Sequence, residues 1–444
     1  MRESDKFPVR TLRENCHAVT DVRQDYDPLM ELIGDSHFVL LGEASHGTHD
    51  FYHSRARITE WLIGEKGFSA VAIEGDWPDA YRANRYVQGR GNDQDAVEAL
   101  ESFKRFPTWM WRNADVMEFV SWLREHNDKL PKRTPKVGFY GLDLYSLHAS
   151  ARAVLEFLDK ADPEGARRAR YRYSCFEHFG EDTQAYGYAA SFGLSKSCED
   201  EAVSQLLEMR KRAADLASRD GHSDPDAFFI AEQNARVVKD AEHYYRTMFR
   251  SQVGSWNLRD QHMFETLEAL ASHLGSKAKI VVWAHNSHIG DARATEMGSS
   301  GELNIGQLAR QRYGNDAKLV GFTTYTGTVT AAPEWDAPAE RKLVRPALDE
   351  SYEGLFHVTG IPRFLIILRG SNWFSRVLDQ ARLERAIGVV YLPESERISH
   401  YFSACLGDQF DAVIHLDETR AVEPLERTSQ WLTGELPETY PFAV

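Results

Sequence analysis

The sequence predicts an α/β fold: a mostly parallel central sheet flanked by helices, with an inserted helical lobe. Three observations carry this. Short apolar runs rich in β-branched residues end in polar residues and give way to helical periodicity, the pattern of buried parallel strands. That strand signal stops between residues 146 and 275, where long helical patterns take over. At 444 residues the chain also exceeds the ~250 to 300 at which a single core stops growing, so two lobes are expected. Residues 1–145 and 276–444 form the predicted α/β core, and 146–275 the lobe.

Taken in order, the strands are expected at "HFVLLGE" (37–43), "SAVAIEGD" (69–76), "KVGFYGLD" (136–143), "AKIVVWAH" (278–285), "AKLVGFTT" (317–324) and "FDAVIHLD" (410–417). "FLIILR" and "AIGVVYL" are further candidates. Within the lobe, a helix beginning at Asp224 with Pro225 in its first turn carries Ile230, Val237, Val238, Ala241, Tyr245 and Met248 at helical spacing. A second helix is expected to start at "WNLRDQHM", with Asn257 as N-cap, Asp260 three residues on, and Met263, Phe264 and Leu267 on one face. The chain shows no internal repeat or low-complexity tract.

Composition excludes several function classes. The apolar runs are too short to span a bilayer, and the N-terminal "MRESDKFPVR" lacks the apolar core of a secretory signal, so a cytoplasmic protein without membrane partners is expected. A formal charge of −15, with dispersed Lys and Arg, repels a phosphate backbone, which argues against nucleic acid. Cys16, Cys175, Cys198 and Cys405 show no CxxC spacing and are expected to be reduced, buried small hydrophobes.

In open parallel sheets the ligand crevice lies at the carboxyl ends of the strands. Four such ends are polar here. Glu43 and His46 follow the first strand, Glu74 and Asp76 the second, Asp143 the third, and His285 and His288 the fourth. The helix after His46 buries the stripe Phe51, Arg55, Ile58, Leu62, which places a guanidinium on an apolar face with Arg57 outside it. An arginine there needs an anion, and Glu43 or Glu74 can supply it; the pair either locks helix to sheet or acts at the substrate. His46 sits where Gly47 permits a tight turn and Thr48 can cap a helix, positioned to accept a proton, the requirement for a general base. The alternative is a histidine that only caps a turn. His46, His285, His288 and Glu74 also make a conceivable zinc set, although no HExxH spacing is present and no metal is required by the pattern. Trp77, Trp109, Trp111, Asn113, Asp143 and Tyr145 are expected to line a site for a partly apolar small molecule bearing hydroxyls.

The blocks "LLGEASHGTHDF", "AIEGDWPDAYRANRYV", "FPTWMWRN", "GLDLYS", "WNLRDQHM" and "WAHNSHIGD" fall in order over nearly the whole chain and resemble the erythromycin esterase family. The resemblance implies a deep cleft, hydrolysis of an ester or macrolactone, His46 as the base that activates water, and Glu43, Glu74, Arg55, His285 and His288 around it. It leaves metal dependence open. No GxSxG elbow surrounds Ser45, so attack by water is expected in place of an acyl-enzyme. The alternatives are a metal- or haem-binding protein without turnover, and a biosynthetic acyl or ester transferase that uses the same base on an alcohol.

Overall fold

A computed structural model describes residues 6–213, 215–216, 226–370 and 380–433. Eleven strands occur among them, numbered here in chain order: β1 (His17–Ala18), β2 (Phe38–Leu41), β3 (Ala70–Asp76), β4 (Gly138–Asp143), β5 (Ile280–Trp283), β6 (Ala317–Ala331), β7 (Glu340–Val344), β8 (Arg363–Ile367), β9 (Arg382–Arg385), β10 (Tyr401–Ala404) and β11 (Ala412–Thr419). The chain is α/β, with a central sheet ordered β1-β8-β11-β6-β2-β5-β3-β4 and β7 paired to β6. The six strands read first from the sequence are the parallel set, running β11-β6-β2-β5-β3-β4. "FLIILR" supplies β8, which runs antiparallel to β11.

"AIGVVYL" forms no strand. Ile387 and Val390 make only isolated bridges, to Ser45 and Ala332, and the paired segment lies just before it, where β9 meets β10. Its apolarity comes from packing: Ile387 and Tyr391 are fully buried.

β2, β3, β4 and β5 are buried along their whole length, because helices cover both sheet faces. Phe51, Ile58 and Leu62 pack one face with Val39, Val71 and Val281. On the other, Met263, Phe264, Leu267 and Leu270 meet Leu40, Ala72 and Val282. The described residues from 147 to 274 contain helices and no strand. A third apolar cluster joins Leu147, Val154, Leu158, Tyr173, Tyr186, Leu206 and Val238. The last helix of this stretch, Gln252–Leu274, packs on the sheet itself, and that contact brings its polar residues to the strand ends.

Three local expectations are corrected. Ser251, not Asn257, caps the helix Gln252–Leu274, accepting from the N–H of Gly254; Asn257 lies a turn inside and bonds the backbone at Gly301 and Leu303. Thr48 stands at the N-cap position of the helix His49–Lys66 but makes no side-chain cap bond, its hydroxyl meeting Ser45; Gly47 lies in the expected turn, where a Cβ would sit 1.8 Å from the carbonyl oxygen of Thr330. Cys175 and Cys198 are joined as a disulfide across 23 positions, Cα to Cα 6.0 Å, because helix packing in the third cluster brings together thiols whose spacing had signalled no pair. Ile230, Val237, Val238, Ala241 and Tyr245 are buried along the helix Ala227–Met248, whereas Asp224 and Pro225 lie outside the described residues.

Candidate active site

Strand order explains why distant residues meet. β2, β5, β3 and β4 are consecutive neighbours, so Glu43 and His46, His285 and His288, Glu74, and Asp143 emerge side by side at one sheet edge. β3 and β4 shift register between Ile73 and Asp76, an irregularity of the sort that re-aims side chains beside sites, and Glu74 lies within it.

His46 is held from behind. Its Nδ1 lies 2.9 Å from Glu43 Oε1 and, since an ionised carboxylate only accepts, Nδ1–H donates and Nε2 is left as the acceptor. The other oxygen of Glu43 takes Arg55 Nη2 at 2.6 Å. Arg55 is fully buried; its carbon centre lies 4.5 Å from the ring of Tyr52 and 5.3 Å from that of Trp283. The stripe read from the sequence therefore places a charged pair beneath the histidine.

Arg259, from the helix Gln252–Leu274, faces His46 across Glu74. Its Nη2 bonds Glu74 Oε1 at 2.8 Å and Asp143 Oδ2 at 2.7 Å, while Nε bonds Asp143 Oδ1 at 3.0 Å. His46 Nε2 is 4.0 Å from that same Glu74 oxygen. The second Glu74 oxygen accepts the backbone N–H of His285 at 2.9 Å. Burial opposes ionisation of Glu74, but His288, His46 and Arg259 outweigh it and hold the carboxyl well below its usual range.

The two remaining histidines sit in opposite states. Burial, aided by the neighbouring His46, drives His285 down to about 3, so it is neutral. For His288 burial is overcome by Asp260 and Glu74, which raise it to about 9. Its Nδ1 lies 2.9 Å from both oxygens of Asp260, its Nε2 is 3.4 Å from Glu74, and Trp256 stacks on the ring at 4.6 Å.

A cavity of about 170 Å³ opens onto this cluster. Of the twelve residues expected at the site, His46, Glu74, Trp111, Asp143 and Tyr145 line it. Glu43, His285 and His288 stand one layer behind, bonded to the lining or stacked against it, and Arg55 lies a layer further back on Glu43. Three expectations are corrected. Trp77 packs against Tyr140 and Phe229 in the core on the far side of the sheet. Trp109 is buried in the opposite core. Asn113 caps the helix Ala114–Lys129, accepting from Val116 N–H and donating to the carbonyls of Trp109 and Met110. A tryptophan count near strand ends does not say which way each ring turns.

The cavity also holds Asp76, expected at its strand end, and residues not singled out for it: Arg259, Asp79, Arg105, Phe106 and Trp335. Arg105 Nε bonds Asp76 Oδ2 at 2.9 Å. Asp79 is raised to about 8 by burial and by Asp76. Arg259 and Asp260 had a signal: Trp256, Asp260, Met263 and Leu267 recur at helical spacing, the same pattern that exposed Arg55.

The conceivable metal ligands do not form a set. Among the described residues no group of three or more His, Cys, Asp or Glu is arranged to hold an ion. Asp260 and Arg259 flank the two nitrogens of His288, and Arg259 and the His285 N–H occupy Glu74.

The erythromycin esterase family model matches residues 63–419. The chain belongs to the erythromycin esterase family. Its members are ester hydrolases, and so is this enzyme. The segment bearing Glu43, His46 and Arg55 precedes the matched range. The chain is 24% identical over 404 residues to an erythromycin esterase type II of Escherichia coli, covering 85% of this chain and 94% of that one. Two solved structures share the fold: a succinoglycan biosynthesis protein (TM-score 0.77, 20% identity, 95% and 99% of the two chains) and a mutant of the erythromycin esterase EreC in its open conformation (0.66, 18%, 89% and 94%). No helix among the described residues is long and apolar enough to cross a membrane.

Proposed function

We propose that this erythromycin esterase family member hydrolyses a carboxylic ester, with macrolactones of the erythromycin type as candidate substrates, by His46-assisted attack of water. One observation carries the reading: Glu43 Oε1 lies 2.9 Å from His46 Nδ1 and accepts its hydrogen bond, which leaves Nε2 free on a side chain lining a cavity that also presents a guanidinium. Arg55 holds the other Glu43 oxygen from below, which fixes the carboxylate in place beneath Nδ1.

In this mechanism a water lies between Nε2 and the ester carbonyl. His46 takes one proton as the oxygen attacks; a positioned base of this kind contributes typically ~10² to 10⁴-fold. Negative charge developing on the carbonyl oxygen faces Arg259, the cavity cation bonded to Glu74, where one well-placed donor is worth ~10² to 10³-fold. Arg55 is sealed from the cavity and His285 is neutral, so neither meets that charge. The tetrahedral intermediate collapses, and the imidazolium returns its proton to the departing alkoxide, giving acid and alcohol. Ser45 supports water as the nucleophile: it is 1% exposed, its hydroxyl is bonded to Thr48, and it lies outside the lining. We infer no metal requirement, because Arg259 already holds the anionic oxygens that would receive an ion.

The test incubates purified enzyme, before and after dialysis against a chelator, with macrolactones and simple aryl esters in heavy-oxygen water. The expected product gains one water with the label in the new acid, at a rate unaffected by the chelator. His46→Asn is expected to fold normally and lose this turnover; full activity in that variant overturns the assignment.

A further inference from the structure

We propose that Trp335 is a specificity-determining residue that receives the apolar body of the ester outside the cavity, an inference that rests on the ester-hydrolase reading. Trp335 lies in the connection between β6 and β7 and is 56% exposed, yet it lines the cavity that contains His46. Its ring meets Phe106 edge-on at 5.0 Å. Phe106 comes from a segment far away in sequence, so two separate loops place aromatic rings at one mouth.

The lining is mixed: beside the charged groups described above it holds Phe103, Phe106, Met110, Val389 and Trp335, and of these Phe103 and Met110 are buried while Phe106, Val389 and Trp335 reach solvent. An indole can bury ~150 to 250 Å², and Trp335, paired with Phe106 in the lining of the cavity that holds His46, leaves much of that area open to a ligand. Size points the same way. About 170 Å³ falls below the ~300 to 1,000 Å³ of sites that enclose a drug-sized ligand, so it holds the ester group and little more. Any larger substrate extends across the Phe106–Trp335 rim. The inferred substrate is an ester with a sizeable apolar portion next to the carbonyl.

The experiment measures kcat and KM for p-nitrophenyl acetate, butyrate and hexanoate with the wild type, Trp335→Ala and Trp335→Phe, and calorimetric binding of an unreactive short and long methyl ketone to the same proteins. In the wild type KM is expected to fall as the chain lengthens. Trp335→Ala is expected to raise KM about tenfold for hexanoate, equivalent to losing roughly 55 Å² of apolar contact, with acetate and kcat unchanged and the melting temperature preserved. Trp335→Phe keeps most of the preference. Equal shifts for all three esters, or none, overturn the proposal. If the wild type turns over no ester, the hydrolase reading fails, and the ketones decide this one: weaker binding of the long ketone alone in Trp335→Ala upholds it, and indistinguishable binding refutes it.

Discussion

Arg55 and Arg259 are both arginines held by glutamates at strand ends on either side of β5, one behind His46 and one in front. Arg55 has no exposed side-chain surface and ties Glu43 to a helix, and its contacts are a carboxylate and two aromatic faces. Arg259 keeps 14% of its side chain exposed, bridges Glu74 and Asp143, and borders the cavity. In the proposed mechanism this difference lets one chemical pair serve two ends. A sealed pair fixes the orientation of a base, whereas a pair that reaches the cavity offers positive charge to a reacting oxygen.

Four substitutions can break or sharpen this contrast. The largest effect is expected from Arg55→Ala, which leaves Glu43 buried without its cation and costs about 3 to 5 kcal/mol. Urea unfolding measures it, and a shift within error would mean the pair supports nothing. Arg259→Lys keeps the charge but not the forked geometry; kcat should drop ~10² to 10³-fold while the melting temperature moves less than in Arg55→Ala. Equal collapse of both proteins would erase the distinction.

Asp260→Asn acts at one remove, through His288. That histidine is raised to about 9 in the folded protein, above its ordinary 6.5. The stability this provides is therefore complete below about pH 6.5 and is lost as pH rises through about 9. Removing the carboxylate should lower the alkaline limb of both the stability and kcat/KM profiles towards neutrality, and unmoved limbs would show that Asp260 does not set the charge of His288. Asn113→Ala gives the smallest effect: about 1 kcal/mol of stability from the lost helix cap, with kcat and KM unchanged. A raised KM would return Asn113 to the substrate site.

Much of the sheet-borne wall was legible because parallel strands are apolar runs with polar ends, and those ends share one edge by construction. Arg55 was legible because a charge on an apolar helical stripe needs a partner. The wall supplied by the helix Gln252–Leu274 was harder. Asn257 mimicked a cap, which placed the helix start a turn too late, although the stripe through Trp256 and Asp260 was present. Trp335 and Phe106 lie in connections without periodicity, so nothing local told where they converge. Trp77 and Trp109 failed for the reverse reason: proximity to a strand end leaves the facing of a side chain undetermined, and both turn into cores.

The central claim is that Glu43 fixes His46 with a proton on Nδ1 and a free lone pair on Nε2 facing the cavity. Nitrogen NMR of the histidine-labelled enzyme, with His46 assigned by comparison with His46→Asn, reads this tautomer directly. A protonated Nδ1 and an unprotonated Nε2 in the neutral ring, lost in Glu43→Gln, are the expected result; a neutral ring with its proton on Nε2 would contradict the account.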